Sequence, residues 1–155
     1  MTLPTLAWTG DAATGHLVLL DQTRLPLEVQ QRECRRLEDV IESIRSLRVR
    51  GAPAIGVAAA YGVVVGMQPF RESSREDFDR QLAGVTTTLA DSRPTAVNLA
   101  WALARSTGCA ANQPELDSAS ILDRLLEEAV AIQDEDRHTC QAIGRHGAEL
   151  MPHGA

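Results

Sequence analysis

The sequence predicts an α+β protein: a small amino-terminal antiparallel β-sheet followed by a helical bundle. Three observations lead there. Two short apolar stretches near the start are separated by turn residues, Leu37, Val40, Ile41, Ile44 and Leu47 recur at helical spacing, and the run Ala54 to Met67 is apolar on every side. A helix without a polar face belongs at the centre of a bundle, buried all round.

Leu3 to Trp8 and His16 to Asp21 suit strands, and Gly10-Asp11 with Thr14-Gly15 supply the turn chemistry of a hairpin. Leu25, Leu27 and Val29 alternate with polar neighbours, so Leu25 to Arg32 predicts a third strand with one wet face. Pro26 places that strand at an edge or puts its own position at a strand start. The expected organisation is one amino-terminal domain over 1–155, β-rich over 1–33 and helical over 34–151.

The first helix carries Arg36, Glu38, Asp39, Glu42 and Arg45 opposite its apolar stripe. In the central helix, Gly56, Gly62 and Gly66 are expected to let neighbouring backbones come close. Ser73-Ser74-Arg75-Glu76 matches a capping box, and Phe78, Leu82, Val85 and Leu89 give the helix behind it a buried stripe ending near Asp91. Thr95 is the expected cap of a helix running through Trp101 to about residue 105. Gly108 to Ser118 reads as a loop. Ile121, Leu122, Leu125, Leu126, Ala129 and Val130 then open a long helix directed at Leu150, halted by Pro152-His153-Gly154-Ala155. Its charged middle, Asp134 to His138, reads as a solvated face or a subunit contact, because adjacent acids lack the spacing of metal ligands.

At 155 residues the chain has the size of one well-buried domain. Aromatics are 3% against 44% apolar residues, so the core is built from Leu, Val, Ile and Ala. The net charge of −6 argues against a general nucleic-acid binder. An anionic ligand must therefore be held by a local site. All fifteen Lys or Arg positions are arginine, which excludes lysine Schiff-base chemistry within this chain. Cys34, Cys109 and Cys140 are widely spaced and odd in number, which indicates neither a disulfide framework nor a zinc site and suggests buried thiols. No charged-then-apolar leader opens the chain, and the apolar run is short and rich in small residues. The expectation is a soluble cytoplasmic protein without a membrane partner.

The most unusual local chemistry lies at two junctions. In Arg48-Val49-Arg50-Gly51-Ala52-Pro53-Ala54-Ile55-Gly56 an arginine precedes a glycine and a proline opens a helix. Gly51 permits positive φ or close approach of a ligand, and Pro53 suits the first helical position. Free N–H groups of such a first turn, the helix dipole and a forked guanidinium together make an anion site. The same residues are also an ordinary way to start a buried helix, with Arg50 paired to a carboxylate. Ser92-Arg93-Pro94-Thr95-Ala96-Val97-Asn98-Leu99 repeats the pattern, with Arg93 held extended by the following proline. If the two helix starts lie together, Arg50 and Arg93 converge on one phosphate. No GxSxG or HExxH sequence is present, and no carboxylate pair has a recognisable partner.

Read together, Arg48 to Gly62 and Ser92 to Trp101 resemble the family of methylthioribose-1-phosphate isomerases, ribose-1,5-bisphosphate isomerases and regulatory subunits of translation initiation factor 2B. The resemblance covers essentially the whole chain and includes His146-Gly147-Ala148-Glu149-Leu150, where the family's first domain closes. It implies the amino-terminal, substrate-binding part of a cytoplasmic aldose–ketose isomerase. That enzyme turns 5-methylthioribose 1-phosphate into 5-methylthioribulose 1-phosphate in methionine salvage, as a homodimer without metal or organic cofactor. The family positions that bind substrate fall on Arg50, Gly51, Ala52 and Arg93. The family's catalytic cysteine and aspartate belong to a carboxy-terminal Rossmann-like domain beyond this sequence, and Cys34, Cys109 and Cys140 do not match that cysteine. The implied alternatives are a ribose-1,5-bisphosphate isomerase or a non-catalytic initiation-factor-like regulatory subunit. For the isolated chain the resemblance implies no turnover.

Overall fold

The computed structural model describes residues 4–151. Three antiparallel strands, β1 (Leu6–Thr9), β2 (His16–Leu20) and β3 (Gln31–Cys34), form a sheet in the order β1-β2-β3. They lead into five helices, α1 (Leu37–Arg45), α2 (Ala52–Met67), α3 (Arg75–Ala90), α4 (Val97–Ala111) and α5 (Ser118–Glu149), with one 3₁₀ turn at Gln68–Phe70. The α+β expectation holds. Leu3, where the first strand was expected to begin, and Pro152 to Ala155 lie outside the described residues.

Local chemistry explains the hairpin. The Asp11 carboxylate accepts from the Thr14 amide and hydroxyl, and Gly10 takes a positive φ of 93°. Leu6 pairs with Leu19 and Leu17 with Cys34, which puts those four buried side chains on one sheet face, against the bundle.

The third strand is not where alternation placed it. Leu27 is 93% exposed and Val29 64% exposed, in a turn-rich segment that precedes β3. Their period is strand-like, but no neighbouring layer covers them, and alternation stabilises a strand only when one face is buried.

Helix α2 is the axis. Thirteen of its residues, from Ile55 to Met67, are buried, and α1, α3, α4, α5 and the first two strands all pack on it. Ala52 to Phe70 is long and apolar enough to cross a membrane by composition, yet 72% of that window is enclosed by the protein's own elements. A Cβ on Gly56 would stand 2.8 Å from the Asn98 carbonyl oxygen, so this glycine admits the α4 backbone. Gly62 and Gly66 instead make room for side chains, Val40 and Leu89 at the first and Val85 and Leu37 at the second.

Several boundaries differ from expectation. Leu47 leaves α1 and adopts φ 59°. The α3 cap is Ser74, whose hydroxyl accepts from the Asp77 amide, one residue later than the capping box implied. α4 runs to Ala111, past the expected end, which shortens the loop before α5. Arg75 holds that helix end by donating to the carbonyls of Ala110, Gln113 and Leu116. The cysteines are free; Cys34 is buried, but Cys140 is exposed because the carboxy-terminal half of α5 projects beyond the bundle.

A charged network fixes the segment ahead of α2. Arg48 donates to Asp21 at 2.6 Å and to both oxygens of Glu42 at 2.9 Å, while its carbonyl accepts from Gln22. Burial pushes the Asp21 carboxyl up, but hydrogen bonds from Thr23 and Arg48 outweigh it and hold the group below the usual carboxylate range. The Arg48 hydrogen bonds hold Glu42 down as well. Both folded-state values lie below the unfolded ones, so this stabilisation is complete above about pH 5 and is lost as pH falls through the folded values. Thermal melts between pH 7 and pH 3 are expected to show the midpoint falling steeply only in the acid range. A flat profile there would contradict the coupling.

Candidate functional site

The two junctions meet. Gly51 caps α2 with φ 98° and ψ 133°, an unfavourable conformation for any residue bearing a Cβ. Nothing lies within 4 Å of where that Cβ would stand, so the backbone there is open to a ligand. The helix begins at Ala52, which makes Pro53 its second residue instead of its first. Ala96, not Thr95, is the α4 cap, and the Ala96 amide donates back to the Arg93 carbonyl, closing a turn that begins at Arg93 and has Pro94 and Thr95 at its centre. Gly56 against Asn98 brings the helices together within their first two turns. At 1.5 Å of rise per residue each helix start lies within about 8 Å of that crossing.

Both starts are electrostatically uncommitted. Ser74 caps α3 and Asp117 caps α5, whereas among the described residues no side chain caps α2 or α4. Arg48, Arg75, Arg105 and Arg124 are tied up in ion pairs. Arg50 is exposed and Arg93 half-buried, and among the described residues neither guanidinium forms an ion pair or a side-chain hydrogen bond, although Asp136 shares the cleft that Arg50 lines. The alternative in which Arg50 pairs with an internal carboxylate is therefore not realised.

Two clefts flank the start of α2. The first, about 480 Å³, is lined by Arg50, Ala54 and Val57 together with Gln22, Gln133 and Arg137. The second, about 280 Å³, lies between Pro53, Gly56 and Val57 of α2, Asn98 and Trp101 of α4, and Ile132, Glu135 and Asp136 of α5. Val57 and Asp136 belong to both. Gly51, Ala52 and Arg93 line neither cleft: Gly51 and Ala52 form the start of α2, and Arg93 precedes the α4 cap Ala96 by three residues.

The middle of α5 carries more than a solvated face. Gln133 accepts from the Tyr61 hydroxyl at 2.6 Å and donates to the Leu6 carbonyl at 2.8 Å, joining α5 to α2 and the sheet. Tyr61 stacks on Trp8 with ring centroids 5.4 Å apart, and burial pushes its phenol up to about 12. Glu135 accepts from Arg105 at 2.5 and 2.7 Å, and Glu128 accepts from the same guanidinium. Arg105 lies 5.3 Å over the Trp101 ring. Trp101 was visible within the second junction. The partners on α5 had no sequence signal, because contacts across thirty residues leave none. Among the described residues no group of three His, Cys, Asp or Glu side chains is placed to hold a metal.

A three-stranded sheet feeding a bundle around a glycine-rich axial helix is an architecture shared with larger solved proteins. A 5-methylthioribose 1-phosphate isomerase from Pyrococcus horikoshii matches with a TM-score of 0.88 and 32% identity, over 97% of this chain and 41% of that one. The delta subunit of translation initiation factor eIF-2B from A. fulgidus matches with a TM-score of 0.86 and 32% identity, over 99% and 43%. The chain belongs to the Initiation factor 2 subunit family, whose profile matches residues 48–155. Among curated relatives, it is 46% identical to the methylthioribose-1-phosphate isomerase of Pelotomaculum thermopropionicum over 99% of this chain and 41% of the relative. It is equally 46% identical to a 5-deoxyribose 1-phosphate isomerase of Bacillus thuringiensis serovar kurstaki, over 96% and 42%. The chain thus spans less than half the length of these relatives.

Proposed function

We propose that this chain is the substrate-binding part of a sugar-phosphate isomerase that converts 5-methylthioribose 1-phosphate to 5-methylthioribulose 1-phosphate, without metal or organic cofactor. The observation that carries the reading is the crossing of two helix starts, each without a side-chain cap and each preceded by an arginine outside any ion pair among the described residues. Arg50, the open backbone of Gly51 and Ala52, and Arg93 hold the phosphate. Backbone N–H groups and helix dipoles favour a dianion at such a position, and a guanidinium adds charge-assisted hydrogen bonds.

The reaction moves hydrogen between C1 and C2 of a sugar whose C1 carries the phosphate. This chain supplies position: fixing the phosphate orients C1 and C2, and orientation of this kind lowers a barrier by several kcal/mol, up to about 7–11 in the best cases. The groups that move the hydrogen belong to a carboxy-terminal Rossmann-like domain of the same cytoplasmic protein. Ile143, Leu150 and Met151, exposed at the far end of α5, support a further contact there with that domain or with the second subunit of a homodimer.

The similarity to an initiation-factor subunit favours a second reading, in which the domain binds a sugar phosphate or nucleotide without transforming it. Turnover separates the two. The full-length protein is expected to form the ketose from 5-methylthioribose 1-phosphate, followed by NMR of the new C2 carbonyl, and the 155-residue chain alone is expected to form none. Binding without turnover by the full-length protein would favour the regulatory reading, and robust turnover by the short chain would contradict the division of labour.

A further inference from the structure

We propose that the cleft between α2, α4 and α5 is a subsite for the uncharged C5 end of a pentose 1-phosphate, and that Trp101 determines its specificity. The inference rests on the reading above and adds which sugar phosphates the site selects.

Trp101 is 49% exposed, an unusual place for an indole in a chain with so few aromatics. It is nevertheless braced. Arg105 covers the ring, and Glu128 and Glu135 fix Arg105 in turn. The indole is thus set in one orientation before any ligand arrives, so binding does not have to order it. With Pro53, Val57 and Ile132 it lines an apolar cleft about 280 Å³ in volume.

Position and charge name the occupant. Val57 and Asp136 are shared with the cleft that Arg50 lines, and Asn98 sits in the first turn of the helix that follows Arg93. A pentose held by its 1-phosphate at the helix starts therefore has its opposite end within reach of Trp101. The cleft is lined by Asp136 and by Glu135, whose charge Arg105 offsets, and among the described residues no cationic side chain lines it, so Asp136 is its uncompensated charge. A 5-phosphate placed there meets like charge in a partly desolvated space, whereas a methylthio or methyl group removes apolar surface from water.

Calorimetric titration of the full-length protein with 5-methylthioribose 1-phosphate, 5-deoxyribose 1-phosphate and ribose 1,5-bisphosphate tests this. Affinity is expected to fall in that order. Trp101→Ala should weaken the methylthio sugar by about tenfold and the deoxy sugar by less than about threefold, because the larger group loses more contact. Trp101→Phe, which keeps an apolar wall, should retain most of the affinity, and both variants should melt near the wild type because the ring is half-exposed. Asp136→Asn should raise affinity for the bisphosphate several-fold and leave the others nearly unchanged. Equal losses on the methylthio and deoxy sugars, or none from either Trp101 variant, would overturn the subsite. An unchanged bisphosphate affinity in Asp136→Asn would overturn the charge exclusion. If Arg50→Ala and Arg93→Ala weaken all three sugars while Trp101→Ala treats them alike, the subsite alone fails; if the arginine variants change nothing, the functional reading fails.

Discussion

Arg48→Ala is expected to lower the thermal midpoint by about 6–12 °C, the equivalent of about 3 kcal/mol in a domain of this size. The Asp21 side chain is 4% exposed, and Arg48 supplies its ion-pair partner. Removing the guanidinium leaves a buried carboxylate with only Thr23 to solvate it, and such an orphaned charge is more costly than the intact pair is favourable. Glu42 loses its forked contact as well. Arg48→Lys should recover part of the loss, since an ammonium restores charge but not the fork that spans Asp21 and Glu42. Differential scanning calorimetry reads both, and a shift below about 2 °C for Arg48→Ala would show that the network adds little. The backbone of residue 48 is held separately, by the Gln22 amide on its carbonyl and by its own amide on the Ser43 carbonyl, and both bonds survive the substitution.

Arg93→Ala is expected to weaken 5-methylthioribose 1-phosphate binding by more than about tenfold, since a hydrogen bond to a charged group is worth about 1.5–3 kcal/mol. Arg93 has no internal partner among the described residues, so its removal orphans no acid and the thermal midpoint should hardly move. That split between affinity and stability distinguishes a ligand-binding arginine from a structural one such as Arg48. If the contact is made equally in the ground state and the transition state, KM rises while kcat holds; if it tightens in the transition state, kcat falls too. A change below about twofold in both binding and rate would remove Arg93 from the site.

The helices were legible because their signals are local. Phe78, Leu82, Val85 and Leu89 are buried as their spacing implied, and the all-apolar α2 is the axis. Alternation at Leu25, Leu27 and Val29 misled because a period describes a face, not whether another layer covers it. Thr95 is a good capping residue by type, yet the turn closed by the Ala96 amide on the Arg93 carbonyl moves the helix start one residue on. At the site, the two arginine junctions could be read because each is contiguous in sequence. Their meeting at Gly56 and Asn98, the bracing of Trp101 by Arg105 and Glu135, and the place of Asp136 in both clefts depend on how distant segments pack. The charged run in α5 reads as solvent-facing because nothing near it in sequence reveals the arginine on α4 that it meets.

The central claim is that Arg50 and Arg93 hold the same phosphate, and a double-mutant cycle on ligand affinity tests it most directly. Full-length wild type, Arg50→Ala, Arg93→Ala and the double variant would each be titrated with 5-methylthioribose 1-phosphate by calorimetry. Convergence on one group predicts that the double variant loses less than the sum of the single losses, by at least about 1 kcal/mol. Losses that add in full, or single variants that bind like the wild type, would contradict it.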